Sequence, residues 1–440
     1  MTQQKSYRSA FIVITTLFFL WGFITVLVDS LIPRLRDVFE LTYFQAGLVQ
    51  FAFFGAFFIL SIPAGFILSK IGYKKGIILG LSAMAIGCLL FYPAASFRNF
   101  GIFLFGYFTL AGGITILQVA ANPYVALLGS EDGASSRLNL SQAFNSLGTA
   151  IAPLVGASFL LSDTIKSSDE IVAMDEISRN AYYISEAGTV QTPFLMIAGF
   201  IGLLVIFFLF TNLPKLMHES PRDGYGKLLK NKLVRMGAFS IFLYVGAEVA
   251  IGSYLVNYFL DMNLVSVITE NNTMSNMVRF LLNTEIASLD GKAIVGAFVV
   301  FYWSGAMIGR FIGAYLTRVM APTRVLSIFA VLAITMLLTS INTQGLTAMW
   351  SILAVGLFNS IMFPTIFTLT LDGLEDLKPQ ASGLLCTAIV GGAIIPPLYG
   401  YLTDILGFKL ALPLLILCYG YIVFFGFIKH FASKQVGVNV

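Results

Sequence analysis

Two carboxylates stand alone in long apolar runs. Asp29 is the only charged residue between Ala10 and Ile32, and Glu248 the only one between Met236 and Leu260. Holding an ionised carboxylate inside a bilayer is expensive, so such residues face a water-filled cavity or hold a cation. Pro33 has no N–H and therefore frees the carbonyl of Asp29, four residues earlier. Thr25 and Gly22 fall on the same helical face as Asp29. A carboxylate, a released carbonyl and a hydroxyl make a cation-coupling site of Asp29 and Thr25. Asp29 lies towards the end of its run, so a gate role, paired with Arg34 or Arg36, also fits it.

Neutral polar residues recur at helical spacing in other apolar runs. Thr115, Gln118 and Asn122 are at i, i+3 and i+7, and Gln142 with Asn145 and Ser141 with Asn145 share a second face. Each amide both donates and accepts, which suits a ligand with many hydroxyls. For Asn122 the alternative is interhelical hydrogen bonding; Pro123, which follows it, is expected to kink its helix and free the carbonyl of Val119. Tyr244 precedes Glu248 by one turn, and Asn359 stands just ahead of Pro364. Tyr244 and Trp303 have faces on which a sugar ring can stack. Arg310 is the remaining charge within a run, suited either to snorkelling at the membrane surface or to a gate.

The elements that must position these groups are membrane helices. The chain is 58% hydrophobic and 11% charged, where an average soluble domain has roughly 25% charged residues. Twelve apolar runs are long enough to span a bilayer: 9–32, 45–69, 76–95, 100–128, 138–161, 192–213, 236–260, 292–317, 324–341, 346–371, 380–405 and 409–431. In lipid each must satisfy its own backbone, so the fold class is all-α. The first run is too long for a signal h-region and lacks a small-residue cleavage site, so it reads as the first span. Lysine and arginine concentrate in alternate loops, including Lys70, Lys74, Lys75, Lys227, Lys230, Arg318 and Arg324, which places both termini in the cytoplasm.

The net charge of +4 is a topology signal and implies no nucleic-acid partner. Cys88, Cys386 and Cys418 are dispersed in apolar runs, and the two histidines, His218 and His430, offer no metal pair. HExxH, P-loop and GxSxG motifs are absent, so the sequence is not that of a recognisable enzyme, and no cofactor beyond a coupling ion is expected.

The basic stretch from Leu213 to Arg235 divides the spans six and six: an N-terminal bundle over 1–213, a linker over 214–235 and a C-terminal bundle over 236–440. Internal similarity supports a repeat. Gly65-Phe66-Ile67-Leu68-Ser69-Lys70 matches Gly313-Ala314-Tyr315-Leu316-Thr317-Arg318, and Ala152-Pro153-Leu154-Val155-Gly156 matches Pro396-Pro397-Leu398-Tyr399-Gly400. Parallel six-helix repeats describe the major facilitator architecture. Gly65-x-x-x-Ser69-Lys70-x-Gly72-Tyr73-Lys74 resembles its signature loop, with Ser69 in the acidic position and Tyr73 in a basic one.

The resemblance then becomes specific. Leu17-Phe18-Phe19-Leu20-Trp21, Asp29-x-x-x-Pro33, Leu41-Thr42-x-Phe44-Gln45-Ala46, Ala121-Asn122-Pro123 and Arg137-Leu138-Asn139-Leu140-x-Gln142-x-Phe144-Asn145-Ser146 resemble the fucose–proton symporter family. Within it the likeness is closest to the bacterial glucose/galactose transporters, through Trp21-Gly22-Phe23-Ile24-Thr25-Val26 and Phe144-Asn145-Ser146-Leu147-Gly148-Thr149.

The resemblance implies an inner-membrane, multi-pass symporter in which Asp29 is protonatable, Gln118 stands where the proton symporters have a glutamate, and Gln142 and Asn145 line a sugar cavity. Gln118 cannot titrate, so a two-carboxylate proton relay cannot operate unchanged, and the likeness to glucose-type relatives that carry this glutamine and are associated with sodium coupling implies Na⁺ at Asp29 rather than H⁺. Gln118, Asn122, Gln142, Asn145, Tyr244, Glu248 and Asn359 are the expected ligands of a hexose, with Arg310 at a gate. A functional monomer is expected. The alternatives are H⁺ coupling through Asp29 and Glu248, fucose or N-acetylglucosamine as cargo, and a sugar uniporter. A non-transporting sugar sensor would need a signalling domain, and only a nine-residue tail follows Phe431.

Overall fold

In the computed structural model, residues 2–38, 43–160, 173–216 and 224–437 are described. Among them the elements that fall on the expected spans are all helices: α1 (Thr2–Val38), α2 (Tyr43–Ile71), α3 (Tyr73–Ser96), α4 (Phe100–Leu127), α5 (Ala134–Leu160), α6 (Glu176–Phe210) and α7 (Lys232–Asp261). They continue with α8 (Val299–Val319), α9 (Pro322–Asn342), α10 (Gly345–Asn359), α11 (Met362–Leu371), α12 (Lys378–Thr387), α13 (Gly391–Leu406) and α14 (Pro413–Gly437). Eleven stretches of the described residues are helical, long and apolar enough to cross a membrane, α10 with α11 forming one of them and residues 375–406 another. The remaining expected span, 138–161, falls on α5, whose 27 residues reach about 40 Å at 1.5 Å per residue.

Helix ends follow local chemistry. Asn99 and Asn231 accept hydrogen bonds from backbone N–H groups in the first turns of α4 and α7. The turn between α2 and α3 is the single residue Gly72, at φ 84° and ψ 164°, and Gly407 after α13 adopts φ 82° and ψ 162°. This region of backbone space is open to glycine almost alone. In the signature-like loop, Ser69 Oγ donates to the Phe66 carbonyl at 2.7 Å and the Lys70 ammonium lies 4.1 Å from the Phe66 ring centroid. Both residues are thus engaged by their own helix.

Helix α10 stops at Asn359 and α11 starts at Met362. Pro364 explains the break, since it has no N–H for the carbonyl of Ser360. The ladder resumes where Thr365 N donates to Ile361 O at 3.0 Å.

The chain divides into two compact units. The first comprises Met1–Gly129, Phe144–Gly224 and Leu374–Thr387, and the second Ser130–Ala143, Tyr225–Gly373 and Ala388–Val440. In the first, α3 and α4 approach closely because a Cβ on Gly80 or Gly113 would strike the backbone of the other helix, the small-residue packing common between membrane helices. Phe91 stacks on Phe194 with centroids 4.1 Å apart. In the second, Val325, Phe329 and Ile361 form a buried cluster. Large apolar side chains such as Phe51, Phe105 and Leu417 are exposed, as expected of surfaces that meet lipid.

Neither Gly72 nor Gly407 has an atom within 4 Å of where a Cβ would stand. Replacing either by Ala is therefore expected to cost about 1–3 kcal/mol through backbone strain alone. Gly199→Ala, within α6 and equally uncrowded, is the control. Thermal unfolding in detergent should separate the first two variants from the third.

Candidate functional site

The expected site residues sort onto the two compact units. In the first, α1, α4 and α5 carry Thr25, Gln118, Asn122 and Asn145. Asp29 lies on α1, but its side chain is outside those described. Thr25 Oγ1 donates to the Trp21 carbonyl at 2.9 Å, which leaves its lone pairs as the part able to meet a cation. Gly22 serves the approach of α5: a Cβ there would meet the backbone oxygen and side chain of Asn145. Gly148 does the same in reverse, a Cβ meeting the Phe19 carbonyl. At this crossing Asn145 Nδ2 donates to the Phe18 carbonyl at 2.9 Å, so half of the Asn145 amide joins the helices.

On α4, Gln118 is half-buried, while Thr115 and Asn122 are fully buried. Thr115 returns its hydroxyl to the Ala111 carbonyl at 2.8 Å. The Val119 carbonyl, released by Pro123, accepts Ser382 Oγ of α12 at 2.8 Å. Of the stripe at 115, 118 and 122, only Gln118 is partly accessible.

The second unit gathers Gln142, Tyr244, Glu248, Arg310 and Asn359. Gln142 is 6% exposed. Glu248 sits mid-way along α7, half-buried, with Tyr244 one turn before it. Tyr302 Oη donates to the Glu248 carbonyl at 3.4 Å and accepts Asn359 Nδ2 at 2.7 Å. Tyr419 of α14 adjoins Asn359 and is within electrostatic reach of Glu248. The positive charge of Arg310 also acts on Glu248. Arg310 Nε donates to the Ser360 carbonyl at 3.2 Å and Nη1 to the Gln142 carbonyl at 3.4 Å. Arg310 is half-buried and binds the carbonyl that Pro364 frees.

Three features escape a reading of the sequence. Tyr302 and Tyr419 are buried beside Glu248, but phenols scattered among 41 phenylalanines carry no spacing that marks them. Trp303, next to Tyr302, is 49% exposed and packs against Gly252; the neighbouring phenol takes the buried place. Asn139 is fully buried and donates to the Ser135 carbonyl and to Thr365 Oγ1 at 2.9 and 3.1 Å, while Ser136 Oγ donates to the Ala314 carbonyl at 2.6 Å. The opening turns of α5 are fastened in this way to α8 and α11.

Membrane-length helices enclosing amides, phenols and isolated charges, with none of the catalytic motifs, define a multi-pass membrane protein of the transporter class. The chain belongs to the Major Facilitator Superfamily, whose family model matches residues 9–389. It is 45% identical over 430 residues to the glucose/galactose transporter of Brucella abortus, covering 97% of this chain and 95% of that protein. To the L-fucose-proton symporter of Escherichia coli it is 34% identical, with 92% and 89% covered. The crystal structure of FucP in the outward conformation matches with a TM-score of 0.86 at 33% identity, covering 96% of this chain and 99% of that one. The twelve-helix major facilitator fold follows.

Pro364 and Arg310 act on one carbonyl, so their substitutions should not add. Arg310→Lys loses the planar fork and should destabilise the native chain. In a Pro364→Ala background, where residue 364 can donate to Ser360, the same change should cost less. A coupling of about 0.5–3 kcal/mol is expected from a double-mutant cycle of denaturation.

Proposed function

We propose that the chain is a secondary active sugar transporter that imports a hexose of the glucose/galactose type by cation symport with alternating access. The carrying observation is the second-unit cluster, where one half-buried carboxylate, Glu248, is surrounded by amides and phenols. Donors and acceptors without a second carboxylate suit a neutral polyhydroxyl ligand. The identity with a protein named as a glucose/galactose transporter, over 97% of this chain, supports the same cargo.

Na⁺ is the coupling ion in this reading. It binds Asp29 with the oxygen of Thr25, and Gln118, an amide, contacts sugar. Gln142, Asn145, Glu248 and Asn359 bind sugar hydroxyls, with Asn122 and Tyr244 supporting them. Cation at Asp29 cancels a charge that opposes closure, so the empty and the doubly loaded carrier change sides readily and the singly loaded one does not. Coupling is then a differential affinity of each ligand for the two states. The protein works as a monomer in a bacterial inner membrane, through two six-helix bundles joined by the 214–235 linker, with both termini cytoplasmic.

One observation favours a second reading, H⁺ coupling through Asp29 and Glu248: the 34% identical relative is named a proton symporter.

Proteoliposome uptake of labelled glucose under separately imposed Na⁺ and H⁺ gradients decides between them. Accumulation should follow the Na⁺ gradient and fall at least about tenfold in Asp29→Asn, the loss expected when an ion-binding charge is removed. Accumulation driven by pH alone, abolished by Glu248→Gln, would replace Na⁺ with H⁺. Absence of glucose and galactose flux under both gradients would overturn the cargo.

A further inference from the structure

The cluster around Glu248 contains more hydrogen-bonding capacity than it uses. Tyr244 is 1% exposed, and Tyr419 and Asn359 are 0% exposed. Yet Tyr244 Oη, Tyr419 Oη and Asn359 Oδ1 have no hydrogen-bond partner among the described residues. Buried polar atoms left in this condition carry a desolvation penalty, and native structures hold few of them. Here they converge. Tyr244 lies within reach of the Glu248 carboxyl and Tyr419 within reach of the Asn359 amide, although neither pair meets the geometry of a formed hydrogen bond.

Their polarity is fixed by a fourth residue. The Glu248 carbonyl can only accept, so the Tyr302 proton points to it. The group 2.7 Å from Tyr302 Oη must then donate, which sets Asn359 Nδ2 towards Tyr302 and leaves Asn359 Oδ1 as an acceptor. Each phenol keeps a proton to give. An acceptor beside a donor matches a neutral hydroxyl, which can donate to Asn359 Oδ1 while accepting from Tyr419 Oη.

We propose that Asn359 and Tyr419 form a subsite that reads one hydroxyl of the transported hexose, with Tyr302 as the positioning residue that orients the Asn359 amide. The subsite rests on the sugar-transport reading above and goes beyond it in naming Tyr302 and Tyr419 and the hydrogen-bond polarity. The hydroxyl enters beside Glu248, the partly exposed member of the cluster. A site built to hydrogen-bond a hydroxyl rejects the analogue that lacks it, because its buried groups are then left unpaired.

The test is binding of glucose, galactose and each of their monodeoxy analogues to the purified full-length protein in lipid nanodiscs, by calorimetry, with melting temperature measured in parallel. The wild type should discriminate against one analogue by at least about a hundredfold. In Tyr419→Phe, affinity for the parent hexose should fall about tenfold while that for the same analogue stays, so the ratio collapses. The sugar-free melting temperature should hold or rise, since an orphaned hydroxyl is removed. Tyr302→Phe should also shrink the ratio although Tyr302 touches no sugar, an effect that a purely structural phenol would not produce.

If both variants keep the wild-type ratio, the orphaned atoms are satisfied by water or by one another and the subsite is wrong, with sugar transport left standing. If the wild type binds hexose without discriminating among the deoxy analogues, the subsite fails in the same way. If the wild type binds no hexose, the sugar reading itself falls and takes the subsite with it.

Discussion

A bilayer offers the backbone no water, and most of this structure follows from that single deprivation. Every carbonyl in the hydrocarbon region needs a donor from the protein, which restricts the chain to helices. Each internal proline then creates one carbonyl without a partner. Two such debts are visibly settled by side chains from other helices: Ser382 donates to the Val119 carbonyl behind Pro123, and Arg310 to the Ser360 carbonyl behind Pro364. The residues that do this are polar in an apolar setting for a structural reason. Polarity inside a span is therefore not, by itself, a mark of ligand binding.

The same reasoning separates the amides. Asn145 spends its N–H on the Phe18 carbonyl at a crossing made close by Gly22 and Gly148. Asn139 spends its Nδ2 on Ser135 and Thr365, and its buried Oδ1 is left without a bond. Asn359 shares that unbonded oxygen and differs in its neighbours: one end is held by Tyr302, and the other lies beside the phenol of Tyr419. Gln118, half-buried on α4, is the amide of its stripe with access. Members of one residue class thus serve as fasteners to different degrees, and it is their unbonded ends, such as Asn359 Oδ1 and the partly accessible amide of Gln118, that can exchange hydrogen bonds with a ligand.

Much of this was legible in the sequence. Apolar length fixes the spans, because the thickness of the hydrocarbon core admits little else, and the lone charges Asp29 and Glu248 stand out against it. Pro123 and Pro364 announce freed carbonyls at Val119 and Ser360, since the i−4 relation is local. What accepts the offer is not local. Ser382 lies 263 residues from Val119, and Arg310 reaches Ser360 across a helix break that composition does not display. Gly22 looks in sequence like space for a ligand and is space for α5. Tyr302 and Tyr419 were invisible because burial in a membrane protein has no periodic polar contrast: the neighbours of a cavity and the neighbours of lipid are both apolar.

The interruption at Ser360 has an electrostatic consequence. A span cut into α10 and α11 is two shorter dipoles, and the end of α10 presents the fractional negative charge of its terminal carbonyls, about half an elementary charge. Arg310 sits at that end. Part of the positive charge buried with Arg310 is thereby answered by peptide groups whose charge no proton can remove. A guanidinium held in this way stays fixed in place and gives Glu248 a constant field.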